Sequence, residues 1–378
     1  MNKSLLILGS PKSIYIKQYI INVLKEKPID VFLGGNHELD EDDKKFFCEN
    51  NVKYINVYKI KGVYKYLPKI GILFGYVHNI KNILKNKKFD YIHIHYVGDQ
   101  RLMKYVHKIY KRISKKLILT FWGSDILDIN KETAKCIYGL IVQADIIVVP
   151  TIQMQVEFEK YFGKKFNYKI EHILFGNPVV QTYTEIKSDI DNIERYMPLQ
   201  LPNNKTIIAV GYNGSPRHNH FKILEVLNTL PHRIKDKIFI LIQAGYGGAP
   251  DYIYELKTYL KNINIDGVVL ENFIDIKETI ALKKRVDVFI HGQKTDALSS
   301  SVLEYMLLDT IVLNPKWIQY YEWKALGIEY IEYDEFSDIK NILVNMFDKK
   351  IINNKNEIII EENFSWIARK DEWQRLYD

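Results

Sequence analysis

The residues with the most chemical potential lie near position 300, in Thr295-Asp296-Ala297-Leu298-Ser299-Ser300-Ser301-Val302-Leu303-Glu304. The apolar run Asp287–Ile290 just before them reads as a strand, so Ser299, Ser300 and Ser301 stand where a helix should begin. Serines cap helix N-termini, and the N–H groups exposed there attract phosphate. Glu304 falls a turn or so inside that helix, facing a cleft or solvent. It either accepts two ribose hydroxyls or is an ordinary surface glutamate.

A second group is Gly211-Tyr212-Asn213-Gly214-Ser215-Pro216-Arg217, between the strand Thr206–Val210 and a helix. Gly211 and Gly214 permit tight turns, and free N–H groups beside Arg217 suit a diphosphate. The spacing is not that of a dinucleotide-binding GxGxxG loop. A companion loop, Gly245-Tyr246-Gly247-Gly248, follows the next strand and belongs to the same rim. Lys294 is a further cation nearby, either a diphosphate contact or a solvated lysine.

A third group is Thr120-Phe121-Trp122-Gly123-Ser124-Asp125, ending a strand whose neighbour is Tyr91-Ile92-His93-Ile94-His95. Alternation along a strand puts His93 and His95 on one face. Both suit substrate contact or a structural role. Asp125 follows a Gly-Ser turn and is either a helix cap or the best candidate for a catalytic base.

Short β-branched runs alternate with amphipathic segments, which predicts parallel sheets with right-handed crossovers. Expected strands are Ser4–Gly9, Asp30–Leu33, Lys53–Val57, Tyr91–His95, Leu117–Phe121, Ile146–Val149 and His172–Phe175. After residue 204 the pattern restarts with Thr206–Val210, Ile238–Gln243, Val268–Glu271, Asp287–Ile290 and Ile311–Leu313. The stretch 178–204 carries Pro178, Pro198 and Pro202 and reads as a linker. The expected architecture is α/β, with two Rossmann-like doubly wound domains, 1–177 and 205–360, facing a cleft. Residues 361–378 form a final helix docking across domains. Ligands in such sheets bind beyond the carboxyl ends of the strands, where all three groups fall.

The segment Asp287-Val288-Phe289-Ile290-His291-Gly292, with Asp296, Ser301-Val302-Leu303-Glu304-Tyr305-Met306 and Thr310-Ile311-Val312-Leu313-Asn314-Pro315, resembles the nucleotide-sugar segment of GT-B-fold glycosyltransferases. That family carries two glutamates separated by seven residues; Glu304 matches the second, and Asp296 occupies the place of the first. The resemblance implies that Glu304 binds the nucleotide ribose and that Asp296 approaches the donor sugar on a shorter arm. It also implies that His95 and the turn Trp122-Gly123-Ser124-Asp125 line the acceptor and donor-sugar side. Leu8-Gly9-Ser10, Trp122–Asp125, Val210–Gly214, Asn219-His220, Ala244-Gly245-Tyr246 and Leu313-Asn314-Pro315 are similar to the transferases that add 4-acetamido-4,6-dideoxygalactose to a lipid-linked intermediate of enterobacterial common antigen. Glu304 follows the broader pattern rather than that one.

The implied reaction is transfer from a UDP- or dTDP-sugar to a hydroxyl of a lipid-linked or cell-surface glycan, with no cofactor and no metal. Arg217, the Gly211–Gly214 loop and the Ser299–Ser301 helix start would stabilise the leaving diphosphate. Asp40-Glu41-Asp42 and Asp189-Ile190-Asp191 have a metal-binding spacing but fall in polar runs away from strand ends. A sugar-nucleotide epimerase, a polysaccharide pyruvyl transferase and a non-catalytic partner of a transferase remain as alternatives.

Composition agrees with a protein of the cytoplasm. Two cysteines, Cys48 and Cys136, make no disulfide framework, and no apolar run approaches the ~18 residues of a membrane span. The net charge of +7 is uneven: residues 1–116 hold 23 Lys/Arg and 10 Asp/Glu, the remainder 30 and 36. The basic stretch Lys53–Lys116, interleaved with Tyr58, Tyr64 and Tyr66, suits either solvated helix faces or the anionic inner face of the plasma membrane. Nucleic acid is disfavoured by the acidic remainder and the lack of a matching motif.

Overall fold

The computed structural model describes residues 2–35, 37–57, 70–84, 87–98, 100–348 and 356–378. The chain divides into two compact units, Met1–Phe175 with Trp366–Asp378, and Gly176–Ser365. Tyr58, Tyr64 and Tyr66 of the basic stretch lie outside the described residues.

The first unit holds a seven-stranded sheet: β1 (Lys3–Leu8), β2 (Ile29–Gly35), β3 (Lys53–Asn56), β4 (Phe89–His95), β5 (Ser114–Thr120), β6 (Ile146–Val148) and β7 (Ile170–Glu171). Their spatial order is β3-β2-β1-β4-β5-β6-β7, and every pairing is parallel. Central strands read as apolar runs because helices cover both faces; Leu5, Leu6 and Ile7 are fully buried. The order in which successive strands are added reverses between β1 and β4, the switch point that ends in Gly9 and His95.

The second unit repeats the plan with β8 (Thr206–Val210), β9 (Ile238–Gln243), β10 (Asp266–Leu270), β11 (Val288–Ile290), β12 (Ile311–Pro315) and β13 (Ile331–Tyr333). Its order, β10-β9-β8-β11-β12-β13, is again all parallel, with the switch point between β8 and β11. The expected doubly wound α/β sheets are therefore both present.

Two boundaries differ from the sequence reading. Residues 178–204 begin as the helix Pro178–Ile186 and continue in 3-10 turns to Tyr196, all within the second unit. Pro178 sits at the first helical position, where its missing N–H costs nothing, and Asn177 caps the helix with its side-chain oxygen. The tail is two helices: Asn356–Phe364 belongs to the second unit and Trp366–Gln374 to the first. Trp366, Trp373, Leu376 and Tyr377 join the first unit's core with Leu5, Ile7, Tyr19 and Val23. No helix among the described residues is long and apolar enough to cross a membrane.

Candidate functional site

In the second unit the predicted residues gather at the β8–β11 switch point. The loop after β8 meets the loop after β11 through Arg217, whose Nη2 donates to Thr295 Oγ1 at 2.6 Å. Ser299 caps the helix Ser300–Leu307, its hydroxyl accepting from the Val302 N–H. Glu304 lies on that helix and is largely buried, with 9% of its side chain exposed. Its Oε2 accepts from Lys283 Nζ at 2.6 Å and its Oε1 from Asn177 Nδ2 at 3.1 Å. Lys283 also donates to Ser301 Oγ at 2.6 Å, so one ammonium holds both the helix start and the carboxylate. Burial pulls the Lys283 ammonium below the usual lysine range, against the pull of Glu304.

The glycine-rich loop differs from the expectation of free N–H groups. The Gly211 N–H donates to Ile290 O, that of Gly214 to Tyr246 O, and that of Ser215 to Asn213 Oδ1. The Arg217 N–H donates to Ser215 Oγ. These donors are spent on folding the loop and on joining it to its neighbour. Gly211 has φ +66°, and a Cβ there would lie 2.7 Å from His220 Nε2. A Cβ on Gly214 would meet Ile253 Cδ1 at 2.7 Å, and one on Gly245 would meet the Asn272 carbonyl oxygen at 2.5 Å. These glycines are accounted for by loop packing. Lys294 is exposed.

Asp296 is nearly buried at this switch point, with 11% of its side chain exposed. Its Oδ1 accepts from the Ala297 N–H at 2.8 Å, and its Oδ2 accepts from Tyr212 Oη at 3.3 Å. His291 Nε2 lies 3.3 Å from the same oxygen. Gln293 Nε2 donates to Tyr212 Oη at 2.6 Å, which turns the Tyr212 hydrogen towards Asp296.

In the first unit Gly9, His93, His95 and Trp122 converge on the β1–β4 crevice. A Cβ on Gly9 would sit 3.7 Å from His95 Cβ. His93 is a structural histidine, with Nδ1 2.6 Å from Tyr377 Oη and Nε2 2.6 Å from Thr120 Oγ1. Tyr377 Oη in turn meets Tyr19 Oη at 2.8 Å. His95 is just as buried, yet neither ring nitrogen has a hydrogen-bond partner. Burial lowers its pKa to about 3, so the ring is neutral. Trp122 packs edge-on against Tyr15, Phe175 and His95.

Asp125 is a clamp rather than an available base. Its Oδ2 accepts from the Val97 N–H at 2.8 Å, and its Oδ1 from the Trp122 and Gly123 N–H groups at 2.8 and 2.9 Å. The carboxyl is buried and ties the loop after β4 to the loop after β5. Desolvation raises its pKa to about 6, against the three N–H donors. Gly123 is required here, since its φ of 142° lies outside the range of L side chains. Ser124 is exposed.

Residues 4–148 match the family model described as glycosyl transferase 4-like. Among solved structures, a glycosyltransferase from Rickettsia africae is similar over 100% of this chain and 98% of its own, with 13% identity and a TM-score of 0.73. Sucrose-phosphate synthase from Thermosynechococcus elongatus covers 99% and 98%, with 12% identity and a TM-score of 0.70. HepE from Anabaena, solved with UDP-glucose, covers 99% of both chains, with 13% identity and a TM-score of 0.68. No curated protein sequence matches. The fold is GT-B.

Within this GT-B chain, several site residues have no signal in a single sequence. Lys283 stands far from Glu304 along the chain, on the helix Ile276–Lys284, and only the fold brings them together. Asn177 could have been found from its Asn-Pro pair, a capping residue before a first-turn proline. Tyr212 and His291 lay inside the quoted motifs and Gln293 just after one of them, but their convergence on Asp296 depends on the β8–β11 pairing.

Proposed function

We propose that this chain is a glycosyltransferase that moves a sugar from a UDP- or dTDP-sugar to a hydroxyl of a lipid-linked or cell-surface glycan. The observation that carries the reading is the second unit's switch point. There Arg217 joins the two loops beside the Ser299–Ser301 helix start, Asp296 and Glu304. A guanidinium and a helix N-terminus both favour the charge that develops on a leaving diphosphate. Glu304, held in one orientation by Lys283 and Asn177, would accept from the ribose hydroxyls, and Asp296 would meet the donor sugar. The bound UDP-glucose in the HepE structure supports a nucleotide sugar as the donor class.

With the Asp125 oxygens committed to backbone N–H groups, the leaving phosphate is the group that takes the acceptor's proton. That is the retaining course, and it needs neither a protein base nor a metal. The first unit would supply His95, the Gly9 turn and Trp122 to the acceptor side. Its helix Gln100–Ile113 exposes Lys104, Tyr105, Lys108 and Arg112, a face that suits an anionic membrane surface carrying the acceptor.

A thermal-shift screen of UDP, dTDP and GDP and their sugars tests the donor class, because a ligand that binds only the folded state stabilises it. At a hundred-fold excess over Kd the gain is about 2.7 kcal/mol. One nucleotide family should raise the transition of the second unit; no shift with any of them would overturn the proposal.

A further inference from the structure

Tyr96 directly follows His95 at the carboxyl end of β4, and its backbone is left-handed, with φ of 61°. The other three described non-glycine residues with positive φ are Asn51, Asn219 and Asp309. Asparagine and aspartate tolerate that region, whereas a bulky aromatic residue there is strained. Hydrogen bonds on both sides of the residue hold the strain. The Tyr96 N–H donates to Thr120 O at 3.0 Å, the Val97 N–H to Asp125 Oδ2 at 2.8 Å, and the Gly98 N–H back to Tyr96 O at 2.7 Å. Val97 is fully buried, while 46% of Tyr96 is exposed. One edge of the ring lies so close to Gly98 that a Cβ there would stand 2.8 Å from Tyr96 Cε1. A glycine or asparagine at 96 would make the same turn with less strain, so the turn does not account for the ring.

The place of that ring points to a ligand. Among the described exposed aromatic residues of the first unit, Phe74, Tyr105 and Tyr138 stand on helices and Tyr168 on a 3-10 turn. Tyr96 instead follows a strand at the β1–β4 switch point, where open parallel sheets bind ligands. A continuing strand would send the rings of residues 95 and 96 to opposite faces. The left-handed turn ends that alternation, and both His95 and Tyr96 reach Trp122, each with ring centroids 6.1 Å apart. Trp122 also meets Tyr15 edge-on at 5.6 Å, which extends the aromatic row. The row has a polar border. Tyr96 Oη lies 3.4 Å from Oγ of the exposed Ser124, and Trp122 Nε1 and both His95 ring nitrogens are buried without a partner.

We propose that Tyr96 is the stacking platform for a pyranose ring of the glycan acceptor, with Trp122 beside it and the Ser124 hydroxyl at the sugar's edge. This rests on the reading of the first unit as the acceptor side. A pyranose carries C–H groups on its faces and hydroxyls around its edge, so it suits an aromatic ring bordered by polar groups. An acyl chain in the same place would leave the hydroxyls of Tyr96 and Ser124 without partners. Stacking favours a sugar face free of axial hydroxyls, which makes Tyr96 a specificity-determining residue for the acceptor. The strained turn is what presents the ring: it puts Tyr96 outward directly after the buried His95 and before the buried Val97.

Saturation-transfer NMR with methyl pyranosides of the gluco, galacto and manno series and their 2-acetamido forms tests the platform, because weak binding is enough for this readout. At least one should bind the wild type, with its ring C–H protons receiving the saturation. Tyr96→Phe keeps the stacking face and should bind nearly as well. Tyr96→Asn should bind about tenfold more weakly, the loss expected for one stacked aromatic contact. Asparagine accepts the left-handed backbone, so the melting temperature of that variant should stay close to the wild type's. Unchanged glycoside binding in Tyr96→Asn would overturn the platform, and so would a wild type that binds none of the panel. The donor reading is tested separately, by nucleotide binding to the second unit. Glycoside binding that depends on Tyr96, with no nucleotide bound, would keep the platform and remove the transferase reading. Nucleotide binding without glycoside binding would remove the platform alone.

Discussion

Lys283 Nζ lies 2.6 Å from Glu304 Oε2, with 2% of the lysine side chain and 9% of the glutamate side chain exposed. Two charges this far from water stabilise one another only as a pair, and removal of one partner typically costs about 3–5 kcal/mol. Glu304→Ala is therefore expected to destabilise the second unit, not merely to weaken a ligand contact. Lys283→Met should cost a similar amount. The double variant Lys283→Met, Glu304→Leu should recover stability in urea denaturation while still failing to bind a nucleotide sugar. Recovery of binding in the double variant would show that Glu304 contributes packing alone.

Asp125 presents the opposite case, a carboxylate whose partners are all backbone. Replacing it with alanine strands the N–H groups of Val97, Trp122 and Gly123 in a buried turn. A loss of at least about 3 kcal/mol is expected, since each buried donor left unsatisfied costs about 1–3 kcal/mol. Asp125→Asn should restore part of this, because its one carbonyl oxygen can still accept. A base would behave differently: Asp125→Asn would abolish turnover even where it restores stability, and a product-formation assay beside a denaturation curve separates the two.

The histidines of β4 set a pH limit on the first unit. The His95 pKa falls to about 3 from the ordinary 6.5 because the ring is buried. Burial and the neighbouring His95 lower His93 as well, the two ring centroids lying 4.0 Å apart. A lowered folded-state pKa means that the unfolded chain binds the proton more readily. The stability contributed by the neutral rings is complete above pH 6.5 and is lost as pH falls towards the folded-state values. Each ring costs about 1.4 kcal/mol per pH unit in that window. Melting temperature should drop steeply between about pH 6.5 and 5, and His95→Phe should shallow the slope. An unchanged slope would place the acid sensitivity elsewhere.

The two sheets were legible because parallel strands buried on both faces leave short apolar runs, and β1, β4, β5, β8 and β9 all show them. The helix Pro178–Ile186 was hidden by Pro178, read as a breaker though it occupies the first helical position. Strand β7 is Ile170–Glu171, and the predicted His172–Phe175 lies just beyond it. At the site, the motif positions of Asp296, Ser299–Ser301 and Glu304 could be read from spacing along one loop and helix. The residues that hold them could not: Lys283 and Asn177 reach Glu304 only through packing of three helices. Asp125 was visible as a turn residue, but its choice between cap, clamp and base depended on Val97, which belongs to another strand's loop.

Gly245 separates loop packing from ligand contact. A Cβ there would stand 2.5 Å from the Asn272 carbonyl oxygen and 3.1 Å from Phe273 Cα, both backbone atoms that cannot step aside as a side chain end would. Gly245→Ala should therefore cost about 1–3 kcal/mol through overpacking. Below the melting transition, nucleotide affinity should be close to that of the wild type. Full stability with lost affinity would instead put Gly245 against the ligand.

The exposed face of the helix Gln100–Ile113 gives the proposed membrane contact a measurable form. Lys104, Lys108 and Arg112 recur on its solvent side with Tyr105, while Met103, Val106 and Tyr110 are buried against the unit. Near an anionic surface each such cation contributes about 1 kcal/mol, and the attraction falls within a Debye length of about 10 Å at 0.1 M salt. Co-sedimentation with phosphatidylserine vesicles should thus be strong at low ionic strength and fade as salt rises. The triple variant Lys104→Glu, Lys108→Glu, Arg112→Glu should abolish it without changing the melting temperature, since these side chains lie outside the core. Equal binding by the variant would move the contact to another basic surface. No binding by the wild type at low salt would leave the face merely solvated.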